Sequence, residues 1–174
     1  RCLSPTRYTG VDISPEMIRS AKERSLVFRG SFVCCDFIEH VPLGNPPGLI
    51  TALWGPFNYA GLHRSLRWAR RTIAPGGSIV AVVYGMAHEY SNRELYSPDV
   101  LRELPRSNVT RAEVLDAIKL EFPDARSRVT PFSSASLAKA PGVSRIRWLA
   151  DRFRLSVDNG TSSRYLLIEI TRVP

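Results

Sequence analysis

The chain has 174 residues, of which 44% are hydrophobic, and a formal net charge of +8 at pH 7. This length is enough to bury one core, and no apolar run approaches the roughly 18 residues that a membrane-spanning helix requires. We therefore expect one soluble domain over residues 1–174. The three cysteines have no metal-ligand spacing, and there is no secretory signal. We therefore expect a cytoplasmic protein that has no metal site and whose core contains reduced cysteines.

The positive charge comes almost entirely from arginine, since the only lysines are Lys22, Lys119 and Lys139. A GC-rich coding sequence produces this bias as readily as selection for an anionic partner does. Four arginines share one face of a predicted helix by their three-and-four spacing: Arg64, Arg67, Arg70 and Arg71. We interpret them as a solvated helix face. An anionic partner is the alternative, and nucleic acid is disfavoured because aromatic residues do not alternate with the arginines.

A short apolar strand ends in Asp12 and leads directly into a helix, with Ser14 as the predicted N-cap and Pro15 at the first helical position. A carboxylate at the carboxyl end of a parallel strand lies at the edge where doubly wound sheets bind ligands. There it is well placed to accept hydrogen bonds from two ribose hydroxyls. The pattern predicts a nucleoside site. The alternative is an acid without a ligand, because any strand–helix unit can end its strand this way.

A second short apolar strand, residues 31–36, also ends in an acid, Asp36, and Phe37 follows it. Two strands that end in aspartate, separated by one helix, are a more specific signal than either strand alone. The alternative for Asp36 is that it only caps a turn.

The strand and helix alternation continues through the middle of the chain. Residues 48–54 are a continuous apolar run typical of a buried parallel strand, and residues 55–59 form a turn into a helix over residues 62–73. A Pro-Gly-Gly turn then precedes a buried strand over residues 78–84. These segments predict an α/β fold with a doubly wound, mostly parallel, Rossmann-like sheet.

The last third of the chain has weaker periodicity. Residues 85–128 contain one predicted helix, over residues 111–121 with Thr110 as its cap, and the following residues through Pro131 are expected to form a loop. Residues 152–157 and 164–172 alternate as strands around Asn159 and Gly160, a strong hairpin signal. We therefore predict a C-terminal antiparallel hairpin.

The order and sequence motifs of these segments resemble those of class I S-adenosylmethionine-dependent methyltransferases. Residues 10–22 match the family's consensus pattern G-V-D-x-S-x-x-M-[IL]-x-x-A-[RK], and residues 73–77 match its pattern [LI]-x-P-G-G. The family's sheet also ends in an antiparallel hairpin, whereas a nicotinamide-binding sheet does not. The resemblance implies S-adenosyl-L-methionine as the cofactor and a small molecule as the methyl acceptor.

Six residues correspond to cofactor contacts of this family: Asp12, Ile13, Met17, Asp36, Phe37 and Trp54. The resemblance implies that Asp12 holds the ribose, with Ile13 and Met17 near the adenine. Asp36 corresponds to the contact with the adenine amino group and Phe37 to the contact with its ring. Trp54 would lie at the tip of the family's fourth strand, near the methyl donor.

Three residues follow predicted strands at the ligand edge of the sheet and are candidate bases for the proton of a hydroxyl or amine acceptor: Tyr59, His63 and His88. For His63 the favoured alternative is an exposed helix histidine without a role, and for His88 both interpretations stay open. His40 is expected to be structural. The inserted segment, residues 86–128, corresponds to a usual position of a substrate lid.

The family's first strand and its glycine-rich loop, D-[LIV]-G-x-G-x-G, have no counterpart in this sequence. Residues 1–6 resemble the end of the helix that follows that loop. Because the first strand lies between the second and the fourth, its absence leaves two rows of backbone groups unpaired. We favour loss of upstream residues from this chain. The alternatives are that the two strands close up, or that a partner or a second copy of this chain supplies a strand. A further departure is Gly48, where the family's fourth strand often begins with Asp.

The leading functional hypothesis is a methyltransferase for a small molecule, in an N-terminally truncated form. The main alternative is a non-catalytic methyltransferase-like domain that binds a ligand or partner without turnover. A nicotinamide-dependent oxidoreductase is disfavoured by the terminal hairpin. An RNA methyltransferase is disfavoured because there is no N-P-P-[YF] or paired-cysteine signature.

Overall fold

The computed structural model describes residues 8–24, 30–42, 44–53, 55–86, 88, 98–103, 107–132 and 164–173. The chain divides into two units, Arg1–Leu43 and Gly44–Pro174. Each unit has its own sheet, one of two strands and one of four. Among the described residues, no helix is long and apolar enough to cross a membrane.

The first unit is one strand–helix–strand element. Strands β1 (Tyr8–Asp12) and β2 (Gly30–Cys34) are parallel, and Asp12 pairs with Cys34 in their register. Helix α1 (Pro15–Arg24) begins as predicted: the carbonyl oxygen of Ser14 accepts a hydrogen bond from the amide of Ile18. The hydroxyl of Ser14 also accepts a hydrogen bond from the amide of Met17, at 3.3 Å. Ile18 is buried in α1.

The second unit has a four-stranded sheet in the order β3, β4, β6, β5. Its strands are β3 (Leu49–Ala52), β4 (Ser78–Tyr84), β5 (Arg126–Phe132) and β6 (Tyr165–Thr171). β3 and β4 are parallel, whereas β6 is antiparallel to both β4 and β5. The helices of this unit are α2 (Pro56–Tyr59), α3 (Leu62–Thr72), α4 (Pro98–Glu103) and α5 (Arg111–Glu121).

The core of the second unit combines one face of the sheet with α3 and α5. Alternate residues of β4 and β6 are buried directly opposite one another, as in the pairs Ile79–Ile170 and Ala81–Ile168. Leu66 and Ala69 of α3 are fully buried, as are Val114 and Ala117 of α5. The helical spacing of these residues gives both helices an apolar stripe toward the core.

The prediction of a mixed α/β fold whose sheet ends in antiparallel strands is confirmed. β6 lies between β4 and β5, and its pairing with β5 extends from Arg126 to Phe132. The predicted partner strand, residues 152–157, and the Asn159-Gly160 turn lie outside the described residues.

The prediction of a loop up to Pro131 is wrong, because Arg126–Phe132 form β5. Arg126, Ser127 and Arg128 are exposed and Val129 is buried, so the strand has little apolar pattern. Proline is tolerated in such a position because an edge strand needs no amide donor on its open side. The predicted turn over residues 55–59 contains the short helix α2.

Candidate functional site

Asp12 is held at the carboxyl end of β1 by its own backbone. Its Oδ1 accepts a hydrogen bond from the amide of Ser14 at 2.8 Å, a turn that aspartate forms readily. The carbonyl of Asp12 accepts a hydrogen bond from the amide of Cys35 at 3.0 Å, which ties β1 to the end of β2. One carboxylate oxygen therefore fixes the side chain, and the described residues give the other, Oδ2, no hydrogen bond.

Asp36 repeats this arrangement after β2. Its Oδ1 accepts a hydrogen bond from the amide of Ile38 at 3.0 Å. Because β1 and β2 are parallel and Asp12 pairs with Cys34, Asp12 at the end of β1 and Asp36 just after β2 lie at the same edge of the small sheet. The structure thus brings the two predicted acids to one end of the first unit.

The apolar residues predicted beside the nucleoside are also at this end. Ile13 directly follows β1 and is 74% exposed, and Met17 in the first turn of α1 is 59% exposed. Phe37 follows Asp36 and is half-buried. Two large exposed apolar side chains beside a carboxylate provide a surface against which a planar base can pack.

The two neighbouring cysteines differ in their surroundings. Cys34 is exposed, so its expected place in the core is wrong, whereas Cys35 is half-buried. Burial raises the pKa of the Cys35 thiol, and the charges of Cys34, Asp36 and Glu39 raise that pKa further. The thiol form of Cys35 is thus favoured at neutral pH.

An aromatic cluster lies at the carboxyl end of β4 in the second unit. The ring of Tyr84 stacks on the imidazole of His88, with centroids 4.0 Å apart and planes within 4°. Tyr59, at the end of α2 and 52% exposed, meets the Tyr84 ring edge-on at 5.9 Å. Tyr165 of β6 lies 6.2 Å from Tyr84 and 5.3 Å from His88. Two of the predicted bases, Tyr59 and His88, therefore contact the same ring.

Asn58 connects the elements around this cluster. It is 5% exposed, and its Oδ1 accepts a hydrogen bond from the amide of Tyr84 at 2.8 Å. Its Nδ2 donates to the carbonyl of Tyr84 at 3.2 Å and to the carbonyl of Ser107 at 2.6 Å. Sequence reasoning missed Asn58 and Tyr84, since no local pattern distinguishes a buried asparagine or a strand-end tyrosine.

His63 contacts a carboxylate of α5. Its Nδ1 is 3.9 Å from Oε1 of Glu121, a buried carboxylate of α5. Arg67 donates to the same carboxylate at 3.0 Å, which raises the pKa of Arg67. These contacts of His63 and Arg67 with Glu121 join α3 to α5.

Trp54, the predicted contact near the methyl donor, lies outside the described residues.

No protein-family model matches the sequence, and no curated protein matches it significantly. Solved structures match the fold. The plantazolicin methyltransferase BpumL, in complex with a triazolic desmethylPZN analog and SAH, aligns with a TM-score of 0.63 and 14% identity, covering 97% of this chain and 68% of its own. An S-adenosylmethionine-dependent methyltransferase from Mesorhizobium loti aligns with a TM-score of 0.63 and 16% identity, covering 95% of this chain and 80% of its own.

A third similar structure is the [4+2]-cyclase SpnF, with a TM-score of 0.58 and 16% identity, covering 95% of this chain and 65% of its own. Its described activity is a cyclisation, which illustrates that one fold supports different chemistry. At these identities the similarity concerns the fold. The chain has the fold of the class I S-adenosylmethionine-dependent methyltransferases.

Proposed function

We propose that this protein is an S-adenosylmethionine-dependent methyltransferase that acts on a small molecule. The observation that carries the proposal is the pair of strand-end acids, Asp12 and Asp36. Each has one oxygen held by a backbone amide, and both lie at one edge of the first unit. This pair occurs in a fold whose structural neighbours include one crystallised with SAH.

The residues at this edge suit the adenosine half of S-adenosylmethionine. The Oδ2 atom of Asp12 is the acceptor for ribose hydroxyls, and Asp36 is the acceptor for the adenine amino group. Ile13 and Met17 supply exposed apolar surface for the base, and Phe37 lies next to Asp36 in the chain. Bound there, the cofactor supplies a methyl group activated by its positively charged sulfur. No glycine-rich run for the amino-acid half occurs in the sequence.

Within the second unit, the proposed acceptor contacts are residues of the aromatic cluster. Methyl transfer to a positioned acceptor needs orientation and exclusion of water more than it needs a nucleophile from the protein. His88 is proposed as the base for an amine or hydroxyl acceptor, and Tyr59 is proposed to orient the acceptor. The contact of His63 with Glu121 supports a structural role for this third candidate.

The inserted segment, residues 86–128, is proposed to determine which acceptor binds. The later part of this segment belongs to the core and the sheet of the second unit. Helix α5 contributes Val114, Ala117 and Ile118 to the core, and β5 begins at Arg126. We therefore restrict the acceptor-selecting part to residues 86–106.

A non-catalytic domain that binds a nucleoside without turnover is the second candidate function. The pair of strand-end acids suits such binding equally well, because a nucleoside contact requires no methyl acceptor. The similarity to a cyclase of this fold adds a third kind of activity to be tested.

An NMR titration with S-adenosylhomocysteine tests the nucleoside site. Asp12→Asn removes a charged hydrogen-bond acceptor and keeps the shape of the side chain. We expect it to weaken binding by about 1.5 to 3 kcal/mol, or roughly 10- to 150-fold. Glu16→Gln, which neutralises an exposed acid in the first turn of α1, is the matched control and is expected to bind as the parent does.

Equal affinity of the parent and Asp12→Asn would contradict the site. Turnover is measured as release of S-adenosylhomocysteine from S-adenosylmethionine in the presence of small amines, phenols and carboxylic acids. Binding that depends on Asp12 with no turnover for any acceptor would favour the non-catalytic domain.

A further inference from the structure

We propose that Tyr84 is a positioning residue for His88: its ring holds the imidazole in place and stabilises the protonated form. The role in catalysis rests on the proposed methyl transfer, whereas the effect on the imidazole is a property of the stack alone. The two residues are four positions apart, but no sequence motif predicts their stacking, which only the structure shows.

The imidazole of His88 lies over the face of the Tyr84 ring. The two rings are 4.0 Å apart and nearly parallel, with 4° between their planes. The face of a phenol ring is electron-rich, so a stacked imidazolium is stabilised relative to neutral imidazole. Tyr165 is the other described ring beside His88, at 5.3 Å and tilted by 57°. Its tilt gives less overlap than the ring of Tyr84 has.

The backbone of Tyr84 is held by Asn58. The side-chain amide of Asn58 accepts from the amide of Tyr84 at 2.8 Å and donates to its carbonyl at 3.2 Å. This is the pattern that a neighbouring strand would form, supplied by a side chain where β3 has already ended. A buried amide with these bonds is costly to displace, so the Cα of Tyr84 has a defined position.

The ring of Tyr84 is held from a second side by Gly55. This glycine has a φ of 93°, and a Cβ on it would lie 2.5 Å from Cε2 of Tyr84. The ring therefore passes directly over the glycine backbone, in a space that any side chain would fill. On the other side, the turn that carries His88 is closed by a hydrogen bond of 2.9 Å from its amide to the carbonyl of Gly85.

In the proposed reaction, the stack stabilises His88 after it has taken up a proton. Methylation of an N–H or O–H acceptor releases one proton for each methyl group transferred, and a ring nitrogen of His88 takes that proton. The imidazole then becomes a cation on a ring face that is already in place. A stabilising group that needs no rearrangement as charge develops contributes more than one that has to move.

A proton NMR titration of the histidine ring signals tests the stack without any acceptor. His88→Gln identifies the signal of His88. Tyr84→Phe keeps the aromatic face, and we expect the midpoint of the His88 titration to stay near that of the parent. Tyr84→Leu removes the face, and the midpoint is expected to move to lower pH. An unchanged midpoint in Tyr84→Leu would overturn the proposal.

The variants are first compared by circular dichroism. If Tyr84→Leu does not fold, Tyr84→Met fills a similar space without an aromatic face and replaces it. The signals of His40 and His63 serve as internal controls, and their midpoints are expected to be the same in all variants. A shift of all three signals together would indicate a general structural change and would overturn the specific coupling.

A double-mutant cycle tests the catalytic part with an acceptor found in the turnover screen. Tyr84→Leu is expected to lower kcat at least 10-fold when His88 is present and less than twofold in a His88→Ala background. An equal loss in both backgrounds would overturn a role through His88. If no acceptor is turned over while the NMR result holds, the proposed function fails and the stabilisation of His88 by Tyr84 stands.

Discussion

Cys34 and Cys35 are adjacent in the sequence but differ in exposure and in thiol chemistry. Burial is the largest cause of the raised pKa of Cys35, followed by the neighbouring charges. Because the thiolate is the reactive form, a raised pKa reduces the fraction of Cys35 that reacts at a given pH. Cys34 is exposed, so its sulfur is accessible to a reagent.

Alkylation by iodoacetamide checks this difference in a Cys2→Ser background. At pH 8 we expect the chain that retains only Cys34, made by Cys35→Ser, to react several-fold faster than the chain that retains only Cys35, made by Cys34→Ser. Raising the pH increases the thiolate fraction of Cys35, so the rate of the chain that retains only Cys35 should rise. Faster reaction of Cys35 at pH 8 would contradict the structure.

Single residues also show where sequence patterns stop being informative. The strand-end position of Asp12 follows from its local pattern, and the structure places it as predicted. Glu121 has no such pattern, and its burial is explained by Arg67 and His63, which come from a different helix. A histidine predicted as a candidate base is thereby found next to a buried carboxylate.

At the scale of elements, α5 has the best-defined start. The hydroxyl of Thr110 accepts a hydrogen bond from the amide of Glu113 at 3.1 Å, and the carboxylate of Glu113 accepts one from the amide of Thr110. This reciprocal capping box satisfies two amides that the helix leaves unpaired. It explains why the sequence predicts the helix with correct limits.

Thr110→Ala should lower the free energy of unfolding by about 1 kcal/mol, the usual loss when an N-cap side chain is removed. Thr110→Ser keeps the hydroxyl and is the matched control, with an expected change well below that of alanine. Denaturation by urea, followed by circular dichroism, measures both variants. Equal stability of Thr110→Ala and the parent would contradict a capping role.

The segment between β4 and α5 begins and ends at one place in the second unit. The amide of Val109 donates to the carbonyl of Tyr84 at 3.1 Å, and Gly85 and Val109 form a β-bridge. The carbonyl of Ser107 is bound by Asn58. A short linker from Gly85 to Ser107 therefore spans the base of the segment.

Replacing residues 86–106 by such a Gly-Ser linker should abolish methyl transfer, because the segment carries His88 and is proposed to select the acceptor. Binding of S-adenosylhomocysteine should remain within about twofold of the parent, since the nucleoside residues lie in the first unit. NMR titration and the turnover assay measure the two effects. Loss of both activities in a variant still folded by circular dichroism would place the segment in the core.

For the whole molecule, the decisive feature is the pairing of the strands. In the described part of the chain, β1 pairs only with β2 and β3 pairs only with β4. Each of these strands thus has one edge without a ladder partner there. A strand edge of this kind is a template for a further strand.

A graft tests whether a glycine-rich loop adds contacts to the amino-acid half of the cofactor. We expect the 174-residue chain alone to bind S-adenosylhomocysteine in the high micromolar range or more weakly. Fusion of a strand and a glycine-rich loop before Arg1 should tighten binding to the low micromolar range, a gain of about 3 kcal/mol. The same fusion with the loop glycines replaced by valine is the control. Tight binding by the chain alone would contradict the assigned site.

The sequence by itself determined the elements whose signals are local. Ser14 and Pro15 mark the start of α1, Thr110 marks the start of α5, and a continuous apolar run defines β4. Capping, proline geometry and strand burial act over a few residues, so they are visible without the fold. The alternation of these elements also predicts the mixed α/β architecture.

Tertiary structure alone decided the contacts between distant residues. β5 pairs with β6 although its sequence has little strand pattern, because an edge strand buries few side chains. Asn58 binds Ser107, 49 residues away, and Tyr84, 26 residues away. Such contacts depend on how the chain returns to the end of β4. Their free energy comes from hydrogen bonds and ring packing that exist only once those segments meet.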